Sequence, residues 1–243
     1  MIFIKKIIQG SFVLKPISLI ISGSAKVVFL LDGSGKIGNE DLNSYRLFVK
    51  KVYKNLNIPT RGVTFGLLEC GSRHYTQRNI LPRKIQNSKV LDLTLDKLIP
   101  VSGSCELGKS LEILNKNVFM KMPSGSPKAV VVVMAGKSVD DVSNAAKELS
   151  RLSVRVVTIG VGGQADMKQL ATIADSPLYA FKVPVIKYLP AMSGTVVGFL
   201  NGGTCLSRVR LIASNFIAFA LKIEIKEQKR GWQNLGYIIL IDI

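Results

Sequence analysis

Residues 26–38 read KVVFLLDGSGKIG. Lys26–Leu31 is a nearly continuous apolar run, the composition required of a strand buried on both faces of a parallel sheet. A polar, glycine-rich loop follows at once. Beyond it, Asn39–Leu56 carries Leu42, Tyr45, Val49, Val52 and Leu56 at spacings of three and four, which predicts an amphipathic helix. Asn39 is the expected N-cap and Pro59 closes the unit.

The strand–loop–helix pattern recurs outward from this stretch. Strands are predicted at Val63–Glu69, Ala129–Met134 (AVVVVM), Arg155–Val161 and Ala180–Val183, with a short one at Tyr75–Arg78. Helices are predicted at Ser88–Ile99, Leu107–Asn117, Val139–Leu152, Met167–Ala174 and Tyr188–Leu200. Asp140 and Asp141 fall in the first turn of the Val139 helix, where acids suit the macrodipole. Apolar strands alternating with helices imply an α/β fold: a doubly wound, mostly parallel sheet flanked by helices on both faces, Rossmann-like in architecture. Ligands of such sheets sit outside the carboxyl ends of the strands, so the loop after Leu31 is the first candidate site.

Composition agrees with a globular module and excludes disordered, collagenous and cysteine-knot classes: 47% of the 243 residues are hydrophobic and 20% charged. Three cysteines and one histidine, His74 in a polar turn, leave little for zinc or histidine chemistry. The net charge of +17 favours an acidic partner. Lys5, Lys6 and Lys15 make residues 1–24 +3, residues 206–243 add another +3, and the middle carries +11 without a run of five like charges. Residues 1–24 are apolar, but Lys15 and Pro16 interrupt them, so they make neither a membrane span nor a convincing signal peptide. The expected organisation is a module over residues 25–205 between two poorly packed flanks, 1–24 and 206–243. Trp232 lies in the second flank.

Glycine-rich loops raise a nucleotide reading. Gly33–Gly38 fits G-x-G-x-x-G, but the acid that should hold a ribose lies late, at Glu69. Gly103–Ser110 (GSCELGKS) matches the P-loop pattern letter for letter, yet the segment before it reads as a helix and then Pro100. The strand VVVVMAG ends with no aspartate for magnesium. A P-loop or Rossmann-type nucleotide-binding enzyme is therefore the alternative rather than the leading reading.

One family accounts for the order of all these pieces. VVFLLDGSGKIG, GVTFGLLEC, GSCELGKSLEIL, KAVVVVMAGKSVDDV and RVVTIGVGGQADMKQLATIA together resemble a von Willebrand factor type A domain, most like the amino-terminal modules of type VI collagen alpha chains. The resemblance covers roughly residues 25–205. It implies a metal-ion-dependent adhesion site built from an Asp and two Ser in the first loop, a Thr, and a later Asp. Asp32 and Ser34 match the first two positions. Lys36 takes the second Ser position and Cys105 the Thr position, while the later Asp falls on Ala135 or Gly136. Magnesium wants hard oxygen ligands, so the set is degenerate and no metal or other cofactor is expected. Lys36 either pairs with Asp32 in place of the cation or points into water.

The resemblance further implies a secreted, extracellular, non-enzymatic module that binds matrix proteins such as collagens, with heparin-like polysaccharides as a further partner and no nucleic acid. A metal-dependent, integrin-like adhesion domain is the second alternative. Partner-binding candidates are Lys36, Glu106 and Lys137 on the upper loops. Arg46, Lys50 and Lys54 join them from the polar helix face that also bears Lys51. Cys70 is expected as a core or half-buried thiol. In several members of the family a cysteine at the place of Cys205 pairs with one before the first strand; residues 1–25 hold none, which leaves Cys205 free or paired outside this chain.

Overall fold

A computed structural model describes residues 25–34, 38–57, 63–70, 80–85, 87–96, 98 and 103–202. They all fall within a compact unit, Met1–Gly203; the second unit, Thr204–Ile243, lies outside the described residues. So do Lys36, His74, Cys205, Trp232, residues 1–24 and the short strand expected at Tyr75–Arg78.

Six strands form one sheet in the order β3-β2-β1-β4-β5-β6. They are β1 Lys26–Asp32, β2 Thr64–Cys70, β3 Ile80–Lys84, β4 Lys128–Met134, β5 Arg155–Val161 and β6 Ala180–Val183. Five run parallel, and β3 is an antiparallel edge strand paired with β2. The sequence expectation omitted β3, whose ILPRK lacks an apolar run. Edge strands pair on one side only and tolerate proline and charge, so they carry little pattern to read.

The apolar strands divide their side chains between two cores. Val27, Phe29 and Leu31 of β1 join Val131 and Val133 of β4 on one face. Val28, Leu30, Val130 and Val132 join the other. The first face is covered by α1 (Asn39–Asn55), α2 (Ser88–Leu95), and a 3-10 segment, Ile186–Met192, running into α6 (Ser193–Leu200). The second is covered by α3 (Leu107–Leu114), α4 (Ser143–Arg151) and α5 (Met167–Ile173). Burial on both faces is the physical reason the strands read as unbroken apolar runs.

Helix ends differ from expectation where capping overrides apolar spacing. α1 is capped by Gly38, not Asn39: the Gly38 N–H donates to the Asp41 carboxylate at 3.3 Å. α2 stops at Leu95, four residues before the expected end. α3 stops at Leu114 and passes into a π-helical turn, Asn115–Phe119. The helix expected over Tyr188–Leu200 is 3-10 through Met192, with Pro190 inside that turn, and α-helical only from Ser193. α4 starts at Ser143 rather than Val139, because the four residues before it belong to the site described next.

β1 and β4 are the central neighbours from which the chain winds in opposite directions. Their carboxyl ends form the topological switch point, where a doubly wound sheet opens a crevice.

Candidate functional site

Asp32 ends β1 at this switch point and is only 2% exposed. Both of its carboxylate oxygens are engaged by backbone. The Ser34 N–H donates to Oδ1 at 2.9 Å, and the Ala135 and Gly136 N–H groups donate to Oδ2 at 2.9 and 3.2 Å. The two residues at the expected position of a second carboxylate therefore contribute donors where a cation site needs an acceptor. These three backbone bonds satisfy a polar side chain that is buried from water. Ser34 is buried at 3% exposure.

Cys105 is not a thiol. It forms a disulfide with Cys70, with Cα atoms 5.0 Å apart, which corrects the expectation of a free Cys70 thiol. β1–β2 register sets Cys70 directly beside Asp32, and the Gly33 N–H donates to the Cys70 carbonyl at 2.9 Å. The Cys105 carbonyl accepts from the Val139 N–H at 3.1 Å. Met134 Sδ lies 3.7 Å from Cys105 Sγ. The bridge thus ties the end of β2 to the loop before α3, across the position at which the family sets a threonine ligand. Sequence reasoning missed it because 35 residues separate the two cysteines and no local spacing rule links them.

The loop after β4 is held from two sides. The Ser138 hydroxyl accepts from the Leu107 N–H at 2.8 Å and donates to Asp140. Asp140 Oδ1 accepts from the Gly108 N–H at 3.0 Å and Oδ2 from the Lys109 N–H at 2.8 Å. Three otherwise unsatisfied donors at the start of α3 are thereby capped from another segment. Gly108 is required by this approach, since a Cβ there would lie 2.2 Å from the Asp141 carbonyl oxygen. On the opposite side, Gln169 of α5 accepts from the Ser138 N–H at 2.9 Å. Asp140 is therefore the cap of α3, not an acid in the first turn of α4. Asp141 keeps the local role: it accepts from the Ser143 N–H at 3.0 Å, and this bond is the largest of the effects that hold its carboxyl below the usual range. Asp140→Ala is expected to cost about 1–2 kcal/mol, the usual worth of a helix cap, with α3 amides exchanging faster by hydrogen–deuterium exchange.

This geometry answers the P-loop match. A P-loop offers free N–H groups to phosphate, whereas here the N–H groups of Leu107, Gly108 and Lys109 already meet a hydroxyl and a carboxylate. Lys109 pairs with Glu106 at 3.1 Å.

The described positions of the family's cation site offer few oxygen ligands. Asp32 faces three donors, Cys105 is consumed by the disulfide, and Ala135 and Gly136 carry no oxygen side chain. Among the described residues no three His, Cys, Asp or Glu side chains are placed to hold a metal. Beneath the site, Tyr45 is 1% exposed and its hydroxyl finds no hydrogen-bond partner among the described residues. Burial, then the nearby Asp32 and Asp41 charges, pushes that phenol well above its ordinary range. Tyr45→Phe should therefore raise the melting temperature by about 2–4 °C, as removal of a desolvated, unpaired hydroxyl gains roughly 1 kcal/mol. A fall on calorimetry would mean that the hydroxyl is paired.

The basic face expected on α1 is partly committed to structure. Arg46 donates to the Leu95 and Leu98 carbonyls at 3.1 and 3.0 Å and to Asn43 at 3.1 Å, clamping the end of α2. Lys50 pairs with Asp92 of α2 at 2.8 Å. Lys51 and Lys54 are exposed. Lys137 is exposed on the upper loop and pairs with Asp166 at 3.5 Å. Val139, beside it, is 64% exposed.

The von Willebrand factor type A domain model matches residues 26–193. The collagen alpha-4(VI) chain of Mus musculus is 30% identical over 184 residues, covering 71% of this chain and 8% of its own length. The collagen alpha-1(XXI) chain of Homo sapiens is 25% identical over 163 residues, covering 67% of this chain and 17% of its own. This chain thus spans less than a fifth of either relative. Among solved structures, proximal thread matrix protein 1 from the mussel byssus, with a zinc-occupied MIDAS motif, superposes with a TM-score of 0.67 at 22% identity, over 75% of this chain and 47% of that one.

Proposed function

The chain belongs to the von Willebrand factor type A family, and from that premise we propose that it is a non-enzymatic extracellular module that binds matrix proteins without a divalent cation. The observation that carries the metal-independent part is Asp32, whose two oxygens meet three backbone N–H groups. The Cys70–Cys105 disulfide supports an oxidising, extracellular setting, since such bridges are rare in reducing compartments. Among the described residues no helix is long and apolar enough to cross a membrane.

Relatives that are collagens support matrix proteins, collagens among them, as the partner class. The binding face of the module, taken as residues 25–205, is the rim of the upper loops. There Glu106, Lys137 and the exposed Val139 lie on the loops around the locked switch point; Lys36, a further candidate, lies outside the described residues. Arg46 and Lys50 are poorer candidates because their donors serve α2. Heparin-like polysaccharides are a second partner class, favoured by the +17 charge.

Capture from a matrix extract, with and without EDTA, tests the reading. Bound matrix protein that survives EDTA is the expected result. Loss of all binding in EDTA would favour the metal-dependent adhesion alternative. Micromolar binding of ATP or NAD would favour the nucleotide-binding one.

A further inference from the structure

The charges of the module are unevenly shared between its ends, and Lys109 and Lys137 at the acidic end pair with Glu106 and Asp166. Asp32, Asp41, Glu69, Glu106, Asp140 and Asp166 all lie at the carboxyl ends of strands or in the first turns and caps of helices that leave them. The opposite end, where the parallel strands begin, is basic. Lys26 opens β1 and Lys128 opens β4, and the two are register partners on adjacent strands. Lys116 lies in the π-helical turn and Lys121 in the turn that delivers β4. Lys54 lies in the last turn of α1, which returns to the same end. Lys54, Lys116 and Lys121 are exposed, and no salt bridge joins them to a carboxylate among the described residues.

Of the acids toward this end, Glu112 stands exposed in the last turn of α3 and two are engaged. Asp175 is held by Arg155, whose guanidinium also sits 4.4 Å over the Phe199 ring, and Glu148 by Arg151 at 2.9 Å. Lys128 adds an independent sign. It is only 6% exposed, and among the described residues its ammonium has one protein acceptor, the Leu152 carbonyl at 3.3 Å. An ammonium carries three donors, and a buried charge calls for an anion.

From this distribution we propose that the amino-end pole of the sheet is a docking surface for a sulfated polysaccharide chain. The proposal rests on the extracellular reading above, and it places the polysaccharide at the end of the domain away from the upper loops. A polyanion of repeating sulfates bridges lysines spread over a turn, a helix end and two strand starts without needing a pocket. The acidic opposite pole orients its approach. Single-stranded nucleic acid is disfavoured because the large apolar side chains exposed among the described residues include no aromatic ring on which bases could stack.

The test uses the full chain and a size-defined heparin oligosaccharide, read by calorimetry and by the salt needed to elute the protein from immobilised heparin. Lys116→Glu with Lys121→Glu is expected to weaken binding roughly tenfold, with a shallower salt dependence, because two counterion-releasing contacts become repulsive. Lys168→Glu with Lys187→Glu makes the same charge change toward the other end and is expected to alter binding little. Equal losses in both pairs would reduce the effect to net charge and overturn the proposal. So would a parent protein not retained at physiological salt, or duplex DNA or phosphatidylserine vesicles competing as well as heparin at equal charge. All four lysines are exposed, so melting temperatures should match the parent. Retention on heparin with no capture of matrix protein would sink the matrix-protein reading and leave this one standing.

Discussion

Replacing Cys70 and Cys105 together by serine is expected to lower the melting temperature by roughly 8–16 °C. The bridge closes a loop over a separation of 35 residues, and loop-closure entropy of that length corresponds to about 4 kcal/mol in the unfolded chain. For a domain of this size each kcal/mol moves the midpoint by about 2–4 °C. The effect should be local as well as global. The bridge joins the end of β2, beside Asp32, to the segment whose carbonyl receives the Val139 N–H. Hydrogen exchange should therefore rise first in residues 103–110 and 135–141, while β4 and β5 stay protected. The double variant, compared with the parent under reducing and non-reducing conditions, separates this from any effect of the reductant. A midpoint that moves by less than the calorimetric error would mean that the bridge contributes nothing to the fold.

Asp32→Ala should be nearly as damaging, at about 3–5 kcal/mol. It leaves three N–H donors, those of Ser34, Ala135 and Gly136, buried without an acceptor, and each such group costs about 1–3 kcal/mol. Asp32→Asn keeps the shape and one acceptor oxygen but turns an N–H₂ toward the amides, so an intermediate loss is expected. The two variants should retain this ranking in EDTA and in magnesium alike. If instead Asp32 were a metal ligand, the parent would lose stability in EDTA while the variants would not.

The architecture was legible wherever one force dominated. Continuous runs such as AVVVVM required burial on both faces, and the strands at Arg155–Val161 and Ala180–Val183 have the bounds their sequence predicts. Helix ends were not legible where the decisive partner lay far along the chain. Asp140 looks like a first-turn acid until α3, some thirty residues earlier, is seen to need a cap. β3 was missed because an edge strand has one buried neighbour and no apolar run. The positions of the family's ligand set could be named from the sequence, from Asp32 to Gly136. What replaced the ligands could not, because a disulfide and a backbone-amide cradle leave no short-range signature. Arg46 shows the same limit from the other side. Its spacing marks a solvated helix face, yet its guanidinium reaches two carbonyls about fifty residues on.

The central claim is that the switch point is held by backbone amides and a disulfide rather than by a cation. The most direct measurement follows the melting temperature of the EDTA-treated protein during titration with magnesium and then manganese, with calorimetric titration in parallel. A midpoint that stays flat through millimolar metal, with no saturable heat, is the predicted result. A saturable rise of several degrees, abolished by Asp32→Asn, would contradict it.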